Sequence, residues 1–396
     1  MPPASPQPEP IPASGAPTSS ITTSKTAFAT PHLPYQEEQF NIVLYESTHN
    51  NDEHSTTKPL SSASNICPIT INNNNILLNN AVSNVICVLV FGKRFSYDDQ
   101  KFLEMIDNMN LIISRAEQNT LSPRHYFPIM VLFTNFFEIQ RSFRKINAFC
   151  TEQMNEHKAT FNNDEEPTNY IDAFLKAKET GQGHYFTDTQ LKSSITNLFV
   201  AGTETTATTL RWALIYMALY PEIQEKVFEE LKSVLGPGNA PTWVDRAKLP
   251  YTDAVIMEVQ RVSNLAPMAL THRTTTDTTL MGYHIPKDTA VIPLLWAVQQ
   301  DHKSFGDNAS EFHPERFLES DGKTHKRYEA FMPFSAGKRV CLGESLARME
   351  LFFFFSGMMA RYRFHFDGLR KPRVNEYFAG VTITPKPYKI IPEPRF

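Results

Sequence analysis

The chain of 396 residues is long enough for one large α-rich unit or for two to three ordinary domains, with ample material for a core. Its 38 basic against 42 acidic side chains leave a formal charge of -4, which excludes the basic field that nucleic-acid binding requires. Four cysteines, Cys67, Cys87, Cys150 and Cys341, exclude a disulfide-stapled miniprotein and fit a reducing compartment, and 29 Phe predict a strongly aromatic interior.

Met1–Pro34 holds nine of the 28 prolines among Ser, Thr and Ala, a composition too poor in apolar surface to offset the entropy of ordering, so a disordered arm is expected. Glu46–Ser64 is polar and Asn72–Asn75 is a four-Asn tract, so order is expected from about Ile76. The division is thus a low-complexity segment over 1–75 and a folded unit over 76–396. No stretch reaches the roughly 18 to 20 apolar residues that span a bilayer, and the N-terminus lacks the pattern of a signal peptide. The richest apolar runs, Phe127–Phe133 interrupted by Pro128 and Leu351–Phe355, fit core or a surface contact with a membrane, the latter reading being open for Pro123–Phe133.

Helical spacing is expected over Ile139–His157 and, after a loop at Glu165–Pro167, over Tyr170–Glu179. Thr187 with Gln190 three residues on is an N-terminal cap signal for a long helix ending at about Tyr220. About 33 residues make it roughly 50 Å long, and apolar residues nearly all round its middle predict burial. Pro221 starts a second helix ending at Gly236, and Pro250 a third ending before Pro267. β-like pieces follow at Thr278–Ile285 and Ala290–Leu294, then loops to Gly337, then a helix from just after Cys341 to about Arg361. Gly380–Pro392 reads as a β-hairpin or a pair of edge strands. The fold class is mainly α with small β-sheets.

The strongest constellation is Phe334-Ser-Ala-Gly337-Lys-Arg339-Val-Cys341-Leu-Gly343. A lone cysteine is ordinarily an inert buried hydrophobe, the reading given to Cys67, Cys87 and Cys150. Cys341 differs, because two glycines let the backbone pass close to something bulky and the following helix aims its N-terminal dipole at the sulfur, favouring a thiolate. With Arg339 nearby, that arrangement suits axial ligation of haem iron and a cation beside a propionate.

On these residues the sequence resembles the cytochrome P450 family, whose pattern F-x-x-G-x-R-x-C-x-G is complete over Phe334–Gly343. The resemblance implies haem b, iron protoporphyrin IX, with Cys341 as its proximal ligand and Phe334, Gly337, Arg339 and Gly343 as its cradle. A second family motif is Ala201-Gly202-Thr203-Glu204-Thr205-Thr206 in the long helix. Read alone, Thr-rich chemistry in a buried helix is costly, and Gly202 removes a side chain where a ligand can lie flat beside Ala201, with the Thr205 hydroxyl entering the hydrogen-bond ladder. A packing glycine with surface threonines is the plainer alternative. By resemblance, Glu204 and Thr205 are the acid and alcohol that deliver protons to bound oxygen.

Glu258-Val-Gln-Arg261 is, by itself, an ordinary i,i+3 ion pair. Resemblance adds Arg316 in Phe312-His-Pro-Glu-Arg316-Phe317 and implies a buried structural network of Glu258, Arg261 and Arg316. His272, in Leu270-Thr-His272-Arg273, falls where a propionate-binding histidine sits in animal microsomal members, with Arg273 as the neighbouring alternative. Substrate-facing candidates are Phe199, Val200, Leu265, Ala266, Met268, Val381 and Thr382, each equally able to be core, and their mix fits lipophilic molecules.

The resemblance covers the chain from about Ile76, where Asn80-Ala-Val-Ser-Asn-Val-Ile-Cys87 is similar to animal microsomal members of the second family. The N-terminal anchor, the proline-rich hinge and the Trp-x-x-x-Arg helix of that family are not found. Two readings stand. The first is a monooxygenase inserting one atom of O2 into a small lipophilic substrate with electrons from NADPH through NADPH-cytochrome P450 reductase, with cytochrome b5 as an additional donor, at the cytoplasmic face of the endoplasmic reticulum membrane. The second is a truncated, non-catalytic remnant with impaired haem binding or only a partner-binding role.

Overall fold

The computed structural model describes residues 69–71, 76–116, 136–179, 185–368 and 371–396. Expectations for Met1–Pro34, Glu46–Ser64, Cys67, Asn72–Asn75 and Pro123–Phe133 lie outside the described residues. All described residues fall in one unit, Tyr35–Phe396.

The first described helix, α1 (Ile76–Phe91), is followed by α2 (Gln100–Ala116), α3 (Phe136–Thr160) and α4 (Tyr170–Glu179). Then comes the long α5 (Asp188–Leu219), whose N-cap Thr187 accepts from the Gln190 N–H. Pro221 stands at the first turn of α6 (Pro221–Leu235) and Pro250 at that of α7 (Pro250–Ser263), where a missing N–H costs nothing. Short helices α8 (Leu295–Gln299) and α9 (His302–Phe305) precede the last, α10 (Glu344–Arg361). Asn264, in the left-handed region at φ 43°, closes α7 earlier than Pro267 requires.

Burial runs nearly round α5 from Thr203 to Met217, where one cluster surrounds it with α1, α6, α7 and α10, and a second cluster holds the helix further toward its N-terminus at Leu191, Ile195 and Phe199. Trp212, Met217, Val227, Leu231, Val259, Phe352 and Phe355 form one cluster with α6, α7 and α10. Phe91, Phe102, Ile146, Phe149, Ile195 and Phe199 form the other with α1 to α3, with Phe91 stacked on Phe199 at 5.3 Å and Phe95 on Phe102 at 5.5 Å. Such aromatic pairs contribute roughly 0.5–1.5 kcal/mol each beyond area burial.

The strands are β1 (Ile69–Ile71), β2 (His272–Arg273), β3 (Thr278–Leu280), β4 (Tyr283–Ile285), β5 (Ala290–Val291), β6 (Tyr362–Phe366), β7 (Tyr377–Ala379), β8 (Ile383–Pro385) and β9 (Tyr388–Pro394). The expected β piece at Thr278–Ile285 is a hairpin turning on Met281 and Gly282, both at positive φ (50° and 85°), as a tight two-residue turn demands.

One described strand precedes Ile76: the β-branched run Ile69-Thr70-Ile71 pairs antiparallel with β9, Ile69 opposite Ile390. One expectation is corrected. The C-terminal strands are neither one hairpin nor both edges: β8 pairs with β7, while β9 is the centre of the order β1-β9-β6. Pro385 and Pro387 lack the N–H groups a continuing ladder needs, and the buried side chains of Tyr388 and Ile390 give β9 a core face. Among the described residues no helix is long and apolar enough to cross a membrane.

Candidate functional site

The loop before α10 is built by backbone geometry. Ser335 and Gly337 adopt positive φ, 66° and 75°, and reverse the chain after Phe334. The Cys341 N–H donates to the Phe334 carbonyl at 3.0 Å, and the Val340 N–H to that of Gly337 at 3.1 Å, closing the turn. The Phe334 ring is held by the Arg348 guanidinium 5.0 Å above it, itself paired with Glu344 at 2.8 Å. A pinned loop therefore presents an exposed thiol, two residues ahead of the Gly343 N-cap of α10. A Cβ at Gly337 would meet nothing within 4 Å, and one at Gly343 would meet only Cys341 Sγ at 3.9 Å. Leu342 beside it is 94% exposed, and Arg339 is exposed without an ion-pair partner among the described residues.

On α5 the expected acid and alcohol diverge. The Thr205 hydroxyl donates to the Ala201 carbonyl at 2.7 Å, on a half-exposed stretch of the helix. Glu204, one residue and about 100° away, is buried, accepting from Arg211 Nη2 at 2.6 Å, Thr208 Oγ1 at 2.7 Å and Asn79 Nδ2 at 3.3 Å. The structure does not bring the carboxylate to the Thr205 hydroxyl. Gly202 also departs from expectation: a Cβ there would lie 2.7 Å from Ile86 Cδ1, so the missing side chain serves close packing of α1 on α5. Ser83 Oγ donates to Thr203 Oγ1 in the same contact.

Behind the motif, Thr206 Oγ1 donates to Glu350 Oε2 at 3.0 Å, joining α5 to α10 within two turns of the Cys341 loop. Glu350 is buried with no cation beside it, and burial pushes its carboxyl up to about 8, the Thr206 bond offsetting only part of that. Arg211, Asn79 and Glu350 escaped the sequence reading. Arg211 is seven residues after Glu204 and so on its face, and Glu350 is a lone acid abutting the Leu351–Phe355 run; both were available signals.

Glu258, Arg261 and Arg316 do meet. Glu258 takes both Arg261 Nε and Nη2 at 2.8 Å and Arg316 Nε at 3.0 Å, plus the His313 N–H at 2.9 Å, all three side chains being buried. Arg261 further donates to the Gln299 and Ala309 carbonyls, and Arg316 to those of Phe305 and Asn308, so the pair ties α7 to the loops ahead of the cysteine segment.

His272 is half-buried on β2 opposite Val291, without an ion-pair partner among the described residues; Arg273 is exposed beside Asp288 at 3.5 Å. Leu265 O accepts from the Ile383 N–H at 2.8 Å and Trp212 Nε1 donates to Ile383 O at 2.9 Å, placing Leu265 and the turn with Val381 and Thr382 against α5. Ala266 and Met268 are half-buried in the same segment, Val381 is exposed and Thr382 is buried with an unpartnered hydroxyl. Phe199 departs from the substrate-facing expectation: it has no exposed surface and stacks on Phe91, while Val200 packs beside the same cluster. The rotation of α5 that buries Glu204 toward α1 carries Phe199 inward with it.

The family model described as Cytochrome P450 matches residues 28–392, and the chain belongs to that family. Among curated relatives it is similar to Cytochrome P450 2J2 of Homo sapiens, 41% identical over 80% of this chain and 63% of that protein. Against Cytochrome P450 2U1 of Bos taurus it is 38% identical over 80% of this chain and 58% of the relative, and against Cytochrome P450 2D28 of Mesocricetus auratus 38% over 82% and 65%. The chain thus spans about three fifths of the length of these relatives. The residues present fit haem. A soft sulfur stands exposed on a glycine-flanked loop, a cation without an ion-pair partner among the described residues sits two residues before it, and the apolar side chains of Val340 and Leu342 in the same loop lie uncovered.

Proposed function

We propose that the chain is the haem-bearing body of a cytochrome P450 monooxygenase acting on a small lipophilic substrate. The observation that carries this is the exposed Cys341 thiol on its pinned, glycine-flanked loop at the start of α10. Bound haem would supply iron that takes electrons from NADPH through the flavoprotein reductase and activates O2. Cys341 would hold the iron through its sulfur just ahead of α10, with Phe334, Gly337 and Gly343 shaping the loop around it. Arg339, an exposed guanidinium, would pair with the propionates, and His272 would hydrogen-bond to them. Ala201, exposed on α5, would face the bound group, while Gly202 lets α1 pack closely on the same helix.

Thr205 Oγ1 is the group suited to hold and pass a proton, since its residue is half-exposed and its only fixed partner among the described residues is a carbonyl of its own helix. Glu204 joins the relay by leaving Arg211, a pair it keeps in this structure. Leu265, Ala266, Met268, Val381 and Thr382 form an apolar wall for substrate, while Phe199 and Val200 support it from the core. Resemblance to the family supports NADPH-cytochrome P450 reductase and cytochrome b5 as partners and the cytoplasmic face of the endoplasmic reticulum membrane as the location. The family body is read over 76–396, with β1 of the preceding 1–75 segment joining its sheet.

The test is a carbon monoxide difference spectrum of the reduced, hemin-supplied chain beside Cys341→Ala. A red-shifted thiolate band that disappears in the variant supports the reading. A chain that takes up no hemin supports the partner-binding alternative, and a band surviving in Cys341→Ala overturns the ligand assignment.

A further inference from the structure

Glu350 is a carboxyl in surroundings that penalise it: it is buried and desolvated, and among the described residues Oε1 has no partner and Thr206 is its one hydrogen-bond donor. An apolar side chain of similar volume would pack there at lower cost, and a buried polar pair retained under such a penalty points to specification of register. The location gives that register a meaning. Glu350 lies six residues into α10, about 9 Å along the axis from its start, and α10 starts at the loop of Cys341. Thr206 adjoins Thr205 on α5, about 100° round the helix, so anchoring Thr206 sets the direction in which the Thr205 hydroxyl points. The rest of the α5–α10 contact is carried by apolar side chains such as Leu210, Leu351 and Phe355, which resist sliding weakly because their attraction is not directional.

We propose that Glu350 and Thr206 are positioning residues: their buried hydrogen bond fixes the rotation and register of α5 against α10, and thereby the placement of the Thr205 hydroxyl relative to the Cys341 sulfur. The functional meaning rests on the proposed haem-thiolate site; the mechanical claim does not. No charged group contributes to holding Glu350 neutral. The ionisable side chains inside the elements around it are spent elsewhere: Glu204 on Arg211, Glu230 on the α7 N-terminus, Asp253 on Arg246, and Glu258 on Arg261 and Arg316.

The experiment compares Thr206→Val, Glu350→Leu and Glu350→Gln in the full chain with two readouts. The first is the alkylation rate of Cys341 in the unloaded protein, followed by peptide mass mapping under conditions where each variant is folded. The second is the share of the thiolate band in the reduced carbon monoxide complex after hemin loading. Loss of one hydrogen bond should change the alkylation rate of the exposed Cys341 by ~3–10-fold in Thr206→Val and Glu350→Leu, with no further change in the double variant. Both should also convert much of the thiolate band to the blue-shifted form. Glu350→Gln, which still accepts from Thr206, should restore both signals. Unchanged alkylation in Thr206→Val and Glu350→Leu, whatever their melting points, would overturn the proposal. A parent chain that takes up no hemin defeats the proposed function alone, because alkylation still reads the positioning bond.

Discussion

Replacing Glu350 by Gln should change how stability responds to pH more than it changes stability at acid pH. In the unfolded chain this carboxyl titrates at the ordinary value of 4.5, whereas burial in the fold raises it to about 8. Below the lower value both states carry the proton and the group contributes no pH dependence. Between the two, the unfolded chain has released its proton and the folded chain has not, so stability falls by ~1.4 kcal/mol for each unit of pH. Above about 8 both states are ionised and the loss, on the order of 5 kcal/mol, is complete. Gln cannot titrate, so the stability difference between Glu350→Gln and the parent isolates this one group from every other ionisation. Urea unfolding of both proteins at intervals from acid to mildly alkaline pH supplies the curves. The parent should lose ground steadily against the variant as pH rises through the window and then run parallel to it. Parallel curves throughout would mean that Glu350 ionises normally, and the account of it as an unpaired, desolvated carboxyl would be wrong.

Glu258→Ala leaves two buried guanidinium groups uncompensated and should cost ~3–5 kcal/mol, read as loss of soluble folded protein or a large drop in melting temperature. Gly202→Ala should destabilise by ~1–3 kcal/mol by driving a methyl into Ile86, and Ile86→Ala in the same chain should recover part of it in a thermal double-mutant cycle. Arg211→Met strands the Glu204 carboxylate in the interior. It should lower the melting temperature markedly, and adding Glu204→Gln should relieve most of the loss, whereas additive losses would refute the pairing.

Much of this molecule is written locally. Thr187, Pro221 and Pro250 mark helix starts through cap and proline chemistry that acts within a turn, and α5, α6 and α7 begin there. The Phe334–Gly343 pattern is equally local, because its turn is made by the φ angles of Ser335 and Gly337 and by a bond between its own backbone groups. The family and the candidate ligand were therefore readable from residue types and spacing. The direction each side chain takes was not. A helix pattern names an α-helix but leaves its rotation about the axis to the neighbours it packs against, and α1 and α10 set that rotation for α5. That turned Gly202 toward Ile86, Glu204 toward Arg211 and Asn79, and Phe199 into the core, while leaving Thr205 half-exposed. Strand partners belong to the same class. Ile69–Ile71 and Tyr388–Pro394 are some 300 residues apart, and only chain closure in three dimensions makes one the edge and the other the centre of a sheet. Short-range sterics and hydrogen bonding lie within the sequence itself, whereas facing and pairing are decided by which surfaces meet when the whole chain packs.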